Sequence, residues 1–70
     1  MTMVERALEA IRLQRLVKQY SQEYVAMRLN VSQSYYARLE SGKAPLSLPQ
    51  FFTLTDILEI DRVAFFAALG

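Results

Sequence analysis

Apolar residues recur at three- and four-residue spacing near the start of the chain. Val4, Ala7, Leu8 and Ile11 mark one face of a helix that runs from about Val4 to Lys18. Tyr20-Ser21 ends it and opens the next. The Ser21 hydroxyl can accept a bond from an orphan amide in the following turn, and Tyr20 and Val25 hold the two positions of a hydrophobic staple. A second, short helix is expected over Gln22 to Leu29, stopped by Asn30, a residue type that tolerates the left-handed conformation common at helix ends.

The punctuation then repeats. Ser32 caps a third helix with Val31 and Tyr36 as its staple, and Ser41-Gly42 closes it. After the loop Lys43-Ala44-Pro45-Leu46, the run Ser47-Leu48-Pro49-Gln50 reads as a capping box with proline in the first turn, opening a fourth helix to about Leu58. Asp61 caps a short fifth helix that carries Val63, Phe65, Phe66 and Leu69. No convincing alternating strand pattern, repeat or linker interrupts the series. The expected fold is all-α, a compact bundle of five short helices in one domain over residues 1–70.

A chain of 70 residues buries only about 60% of its unfolded surface, so its core is thin. At 53% hydrophobic residues it still has ample material for a globular domain. No apolar run approaches the ~20 residues that span a bilayer, and the N-terminus lacks a signal-peptide layout, so no membrane association is expected. The chain has no cysteine and no histidine. Disulfides, thiol nucleophiles, Cys/His metal sites and a Ser-His-Asp triad are thereby excluded, and no metal or cofactor is expected. Carboxylates are scattered over several helices and no Gly-rich phosphate loop is present, which argues against an enzyme. A reducing, cytoplasmic setting is compatible with this composition.

Net charge is only +1, but it is unevenly spread. Arg12, Arg15, Lys18, Arg28, Arg38 and Lys43 oppose only Glu23 and Glu40 between residues 10 and 50, whereas both ends of the chain are net acidic. Such asymmetry can mark a nucleic-acid face.

Two short helices joined by three or four residues are the geometric core of a helix-turn-helix, here over about residues 21–40. Val25, Leu29, Val31, Tyr36 and Leu39 are apolar where the two helices must face each other and the rest of the domain, and Ala26 is small where their backbones come closest. The stretch QEYVAMRLNVSQSYYARLE resembles the phage-repressor-like, Xre/Cro-type helix-turn-helix family. The likeness extends from about Leu8 to Phe66 through SQEYVA, RLESGK and LSLPQFFTLTDIL. It implies a DNA-binding domain, a small transcriptional regulator of double-stranded DNA. It also implies a structural pair between Arg15, late in the first helix, and Glu40, ending the third; a phosphate contact is the alternative role for Arg15. Two departures stand out. Position 36 usually holds a smaller aliphatic residue, so Tyr36 is expected either to tilt the third helix or to reach solvent with its hydroxyl, and Asn30 stands where glycine is more frequent.

At 100° per residue, Ser32, Tyr35, Tyr36 and Leu39 fall in one inward sector of the third helix, with Tyr35 at its boundary. Gln33, Ser34, Ala37 and Arg38 cover the other side. Glutamine can bond adenine, arginine can bond guanine, and alanine can touch a thymine methyl, so Gln33, Ser34 and Arg38 are the candidate base contacts. Without the surrounding motif they would read as ordinary solvated helix residues. The start of the second helix at Gln22 can face a phosphate, Ser32, Ser41 and Lys43 match backbone-touching positions of the family, and Tyr35 can donate its hydroxyl to a phosphate while its ring packs.

A second apolar stripe on the first helix, Met3, Ala10, Leu13 and Val17, points away from the core stripe, and Phe65, Phe66 and Leu69 add further apolar area. Exposed patches of that kind mark partner surfaces, so a homodimer is expected. A different class of function draws on the same surplus: a protein-interaction module, or an antitoxin-like partner of another protein, that keeps the fold with weak DNA binding.

Overall fold

The computed structural model describes residues 2–69, without the side chain of Leu69. The apolar contribution expected of that side chain therefore lies outside the described residues. Five helices follow one another: α1 (Met3–Val17), α2 (Gln22–Leu29), α3 (Gln33–Glu40), α4 (Leu48–Leu58) and α5 (Arg62–Leu69). The described residues contain no strand. Each helix begins at a side-chain cap. Ser21 Oγ accepts from Tyr24 N at 2.9 Å, Ser32 Oγ from Tyr35 N at 3.2 Å, and Asp61 Oδ1 from Ala64 N at 3.1 Å. Ser47 and Gln50 form a reciprocal capping box, with bonds of 3.2 and 3.1 Å. A second box, between Thr2 and Glu5, starts α1 one residue earlier than its apolar spacing suggests.

The ends of α1 to α4 share one geometry. Gln19, Asn30, Gly42 and Glu59 all have positive φ, between 56° and 81°. The amide after each reaches back five residues: Tyr20 to Arg15, Val31 to Ala26, Lys43 to Arg38 and Ile60 to Thr55, at 2.8 to 3.0 Å. This is the Schellman arrangement, and it satisfies carbonyls that the helix itself leaves without donors. Tyr20, Val31 and Ile60 also tuck apolar surface against the core, fixing each exit. Only Gly42 adopts the conformation without Cβ strain. A Cβ there would meet Leu8 Cδ1 at 3.4 Å, ordinary contact, so the backbone angle rather than lack of space favours glycine.

The core gathers Ile11 from α1, Val25 and Ala26 from α2, Tyr36 and Leu39 from α3, and Phe51, Leu54, Ile57 and Leu58 from α4. Phe65 of α5 packs partly against it, with its ring 5.6 Å from that of Phe51. The core stripe of α1 is shorter than its spacing implied. Val4 is 62% exposed, because the first turn of α1 reaches past the residues that cover Ala7 and Ile11. Gln14 Nε2 donates to the Leu58 carbonyl at 3.0 Å, and Lys18 pairs with Glu59 at 3.0 Å, so α1 is fastened to the end of α4.

Arg15 and Glu40 meet in a bidentate pair, Nε to Oε2 at 2.9 Å and Nη2 to Oε1 at 2.8 Å, with side chains only 12% and 4% exposed. The remaining Nη1 donates to the Tyr20 carbonyl at 3.0 Å. One guanidinium thus ties α1 to the turn before α2 and to the last residue of α3. Burial works to raise the Glu40 pKa, but the Arg15 hydrogen bonds, helped by Tyr36, the Arg15 charge and Gln22, outweigh it and hold the carboxyl below its ordinary value. Tyr36 does not reach solvent. It is fully buried, and its hydroxyl is enclosed beside this pair without a hydrogen-bond partner of good geometry. Burial, then the adjacent Glu40 carboxylate, push its phenol pKa upward.

Glu40→Ala leaves the buried Arg15 charge without its partner and should destabilise the fold by about 3–5 kcal/mol in urea denaturation. A loss below ~1 kcal/mol would mean that the pair does not hold the helices. Because the folded-state pKa of Glu40 is depressed, its contribution is present above the unfolded value of about 4.3 and is lost as pH falls below it. Glu40→Gln should therefore show a weaker loss of stability on acidification than the parent chain. At the end of α1, Gln19→Gly relieves a left-handed side-chain residue and should raise stability by about 0.5–1 kcal/mol, read as a higher denaturation midpoint.

Candidate nucleic-acid interface

The turn between α2 and α3 comprises only residues 30–32. The left-handed φ of 64° at Asn30 reverses the chain, and the half-buried Val31 anchors it against the core. Beyond the turn, α3 is held from behind. Tyr36, Leu39 and Glu40 are its buried residues, and they lie on one side of the helix. Rotation about the α3 axis is thereby set by two apolar contacts and one ion pair.

Much of the rest of α3 is open. Gln33, Ser34 and Arg38 are exposed, with the small Ala37 half-buried between them. No side-chain bond engages Gln33 or Arg38 among the described residues. An α-helix with its side chains is about 10–12 Å across, a thickness that a B-DNA major groove ~12 Å wide admits. The exposed surface of α3 offers an amide, a hydroxyl and a guanidinium.

The candidate phosphate ligands differ in how far their polar atoms are already engaged. Lys43 is exposed, just past the end of α3, and is free of ion pairs among the described residues. Ser32 was grouped with the inward sector on the helical wheel, but as an N-cap it is exposed, with its hydroxyl 3.4 Å from that of Ser34. Ser41 Oγ donates to the Arg38 carbonyl at 3.2 Å, so it can donate to a phosphate only by leaving that bond. Gln22 is half-buried at the first position of α2, near Glu40. Tyr35 is half-buried, and its hydroxyl accepts from Gln50 Nε2 at 3.4 Å, which leaves the phenolic hydrogen free.

Ion pairing sharpens the charge picture. Arg15 is neutralised by Glu40, Lys18 by Glu59 and Arg62 by Asp56. Arg6, Arg12, Arg28, Arg38 and Lys43 have no acidic partner among the described residues, and all five are exposed. The first turn of α3 carries no acidic residue, whereas that of α2 carries Glu23. An anion is thus received more readily at the start of α3, where no carboxylate opposes the positive end of the helix dipole.

Two groups escaped the sequence reading. Arg28 donates to the Tyr24 hydroxyl at 2.7 Å and lies 5.7 Å from that ring, which sits 4.6 Å from Tyr20, so an exposed guanidinium caps two half-buried rings at the start of α2. The i, i+4 spacing of Tyr20, Tyr24 and Arg28 was a visible signal of it. Gln50 was legible as a capping residue, but not as a contact of Tyr35, fifteen positions away.

A helix-turn-helix family model matches residues 8–65. No curated protein and no solved structure matches the chain. No helix among the described residues is long and apolar enough to cross a membrane. With the match covering well over half of its length and five helices in the expected order, the chain belongs to the helix-turn-helix family of the phage-repressor-like, Xre/Cro type, a family of DNA-binding regulators.

Proposed function

We propose that this chain is a sequence-specific binder of double-stranded DNA, acting as a small transcriptional regulator in the cytoplasm, with α3 in the major groove. The observation that carries the reading is the division of α3: Tyr36, Leu39 and Glu40 are buried, while Gln33, Ser34 and Arg38 are exposed. Gln33, Ser34 and Arg38 face base edges in this reading. Gln22, Ser32, Tyr35, Ser41 and Lys43 lie along the phosphates and set the register without reading sequence. The whole of residues 1–70 acts as one domain, without metal or cofactor and without enzymatic activity.

The protein works as a homodimer. Met3, Leu13 and Val17 are 63%, 46% and 74% exposed along one flank of α1, with the half-buried Ala10 between them. Phe66 adds exposed aromatic surface from α5, whereas Phe65 is partly absorbed against Phe51. A second copy covers this surface and doubles the phosphate contacts of a chain with few free cations, on two half-sites one helical turn apart. A second reading, a protein-interaction module with weak DNA binding, draws on one feature. Met3, Val4, Ala7, Leu46, Leu48 and Phe51 line an apolar groove of ≈ 220 Å³ that continues onto Phe65 and Phe66. Fluorescence anisotropy with mixed duplex DNA at low and moderate salt separates the two: the regulator binds, with an affinity that falls steeply as salt rises.

Selection of bound duplexes from a random pool defines the preferred site. On that site Arg38→Ala should cost about 1–3 kcal/mol and relax preference at one base position. Lys43→Ala should weaken all sequences alike and lower the salt slope by about one. Uniform loss from both variants would make Arg38 a backbone contact. Sedimentation equilibrium at micromolar concentration should show a dimer that Val17→Glu disrupts; a strict monomer binding one half-site with no spacing preference ends the dimer reading.

A further inference from the structure

We infer that Gln50, on α4 and outside the helix-turn-helix, is a positioning residue for DNA binding: it turns the Tyr35 hydroxyl into a committed hydrogen-bond donor aimed at a phosphate oxygen. The inference rests on the duplex-DNA reading above and extends it to a side chain that touches no DNA.

The polarity follows from the capping box. The Ser47 amide must find an acceptor, and Gln50 Oε1 supplies it at 3.1 Å, while the Gln50 amide takes Ser47 Oγ at 3.2 Å. The side-chain amide can satisfy Ser47 in only one orientation, so its NH2 end is forced toward Tyr35, where Nε2 lies 3.4 Å from the phenolic oxygen. Nε2 has hydrogens and no lone pair, so Tyr35 must be the acceptor. At this length the bond contributes direction more than strength. A phenol has one hydrogen, held near the ring plane, and here it is turned away from Gln50. Tyr35 is half-buried, with its ring against the core and its position on α3 about 60° from that of the exposed Arg38. A hydroxyl so arranged suits an acceptor-only partner, which is what a phosphate oxygen is.

Gln50→Glu tests this by reversing the polarity. A glutamate at this position keeps the capping box, because one carboxylate oxygen still accepts from Ser47. Its other oxygen then takes the Tyr35 hydrogen and draws it away from the DNA. The experiment is a double-mutant cycle of Tyr35→Phe and Gln50→Glu on the full chain. It is read by anisotropy on a mixed-sequence duplex of about 20 base pairs, because a phosphate contact needs no operator. Tyr35→Phe should weaken binding by about three- to tenfold in the parent chain, the range of a hydrogen bond of ordinary net strength. In the Gln50→Glu background it should change nothing, with unfolding midpoints alike throughout. The added negative charge is present on both sides of that comparison and cancels. If Gln50→Glu lowers the midpoint, Gln50→Ala replaces it, and the Tyr35→Phe loss should shrink there as well. The same loss in every background, or none in the parent chain, overturns the role of Gln50 while leaving DNA binding intact. A parent chain that binds no duplex overturns the DNA reading and this inference together.

Discussion

Arg15 makes three charge-assisted hydrogen bonds, and the exposed face of α3 depends on them. Two go to Glu40 and one to the Tyr20 carbonyl, at 2.8 to 3.0 Å. Glu40 ends α3, so fixing it fixes the rotation of that helix about its axis, and with it the direction in which Gln33, Ser34 and Arg38 point. Taking two charges out of water is costly, and hydrophobic residues of equal volume would often stabilise as well. A planar guanidinium facing a carboxylate in two parallel bonds supplies something they cannot, a single permitted orientation. Tyr36 shares this enclosure. Its ring fills the space beneath α3, and its hydroxyl lies against the pair rather than at the surface.

The turns carry the same demand for definite geometry. Four successive helices end in one left-handed residue followed by a bond back across five positions, and three of those four residues are not glycine. Each non-glycine left-handed residue costs roughly 1 kcal/mol or more, which the satisfied carbonyls and the apolar residue that follows must offset. Connections this short leave helices little freedom to swing. In a chain whose core is thin, the short turn adds to the burial of Val25, Ala26, Tyr36 and Leu39 in holding α3 against α2.

The same thinness shapes the surface. With the core drawn mainly from α2, α3 and α4, α1 and α5 each bury only part of their apolar residues, leaving Met3, Val4, Val17, Val63 and Phe66 at the surface. Cations follow a parallel division. Arg15, Lys18 and Arg62 are paired with carboxylates, while Arg6, Arg12, Arg28, Arg38 and Lys43 remain without an acidic partner among the described residues. A chain of net charge +1 thus keeps exposed cations free in its middle, because apart from Glu23 its acidic residues are engaged in pairs or caps or lie near its ends.

The residues most legible in the sequence were those whose roles are local. Ser21, Ser32, Ser47 and Asp61 announce helix starts because a cap needs only a short polar side chain and the next turn of backbone. The outward set on α3 was readable from the 3.6-residue period. Gln19 and Glu59 gave no such warning, since nothing in a glutamine or a glutamate favours positive φ; the apolar residue after each one, drawn into the core, imposes it. Val4 continued the α1 stripe by spacing yet lies exposed, because periodicity says which side of a helix is apolar but not how far its neighbours extend. Whether the Tyr36 hydroxyl met solvent or Glu40, and where the far end of Gln50 pointed, depended on groups brought near only by folding. Sequence by itself determined the helices, their caps and the polar face of α3, because those follow from interactions within a few residues. Only the tertiary structure decided burial, the partner of each charge and the polarity of each shared hydrogen bond, because those depend on atoms far apart in the chain.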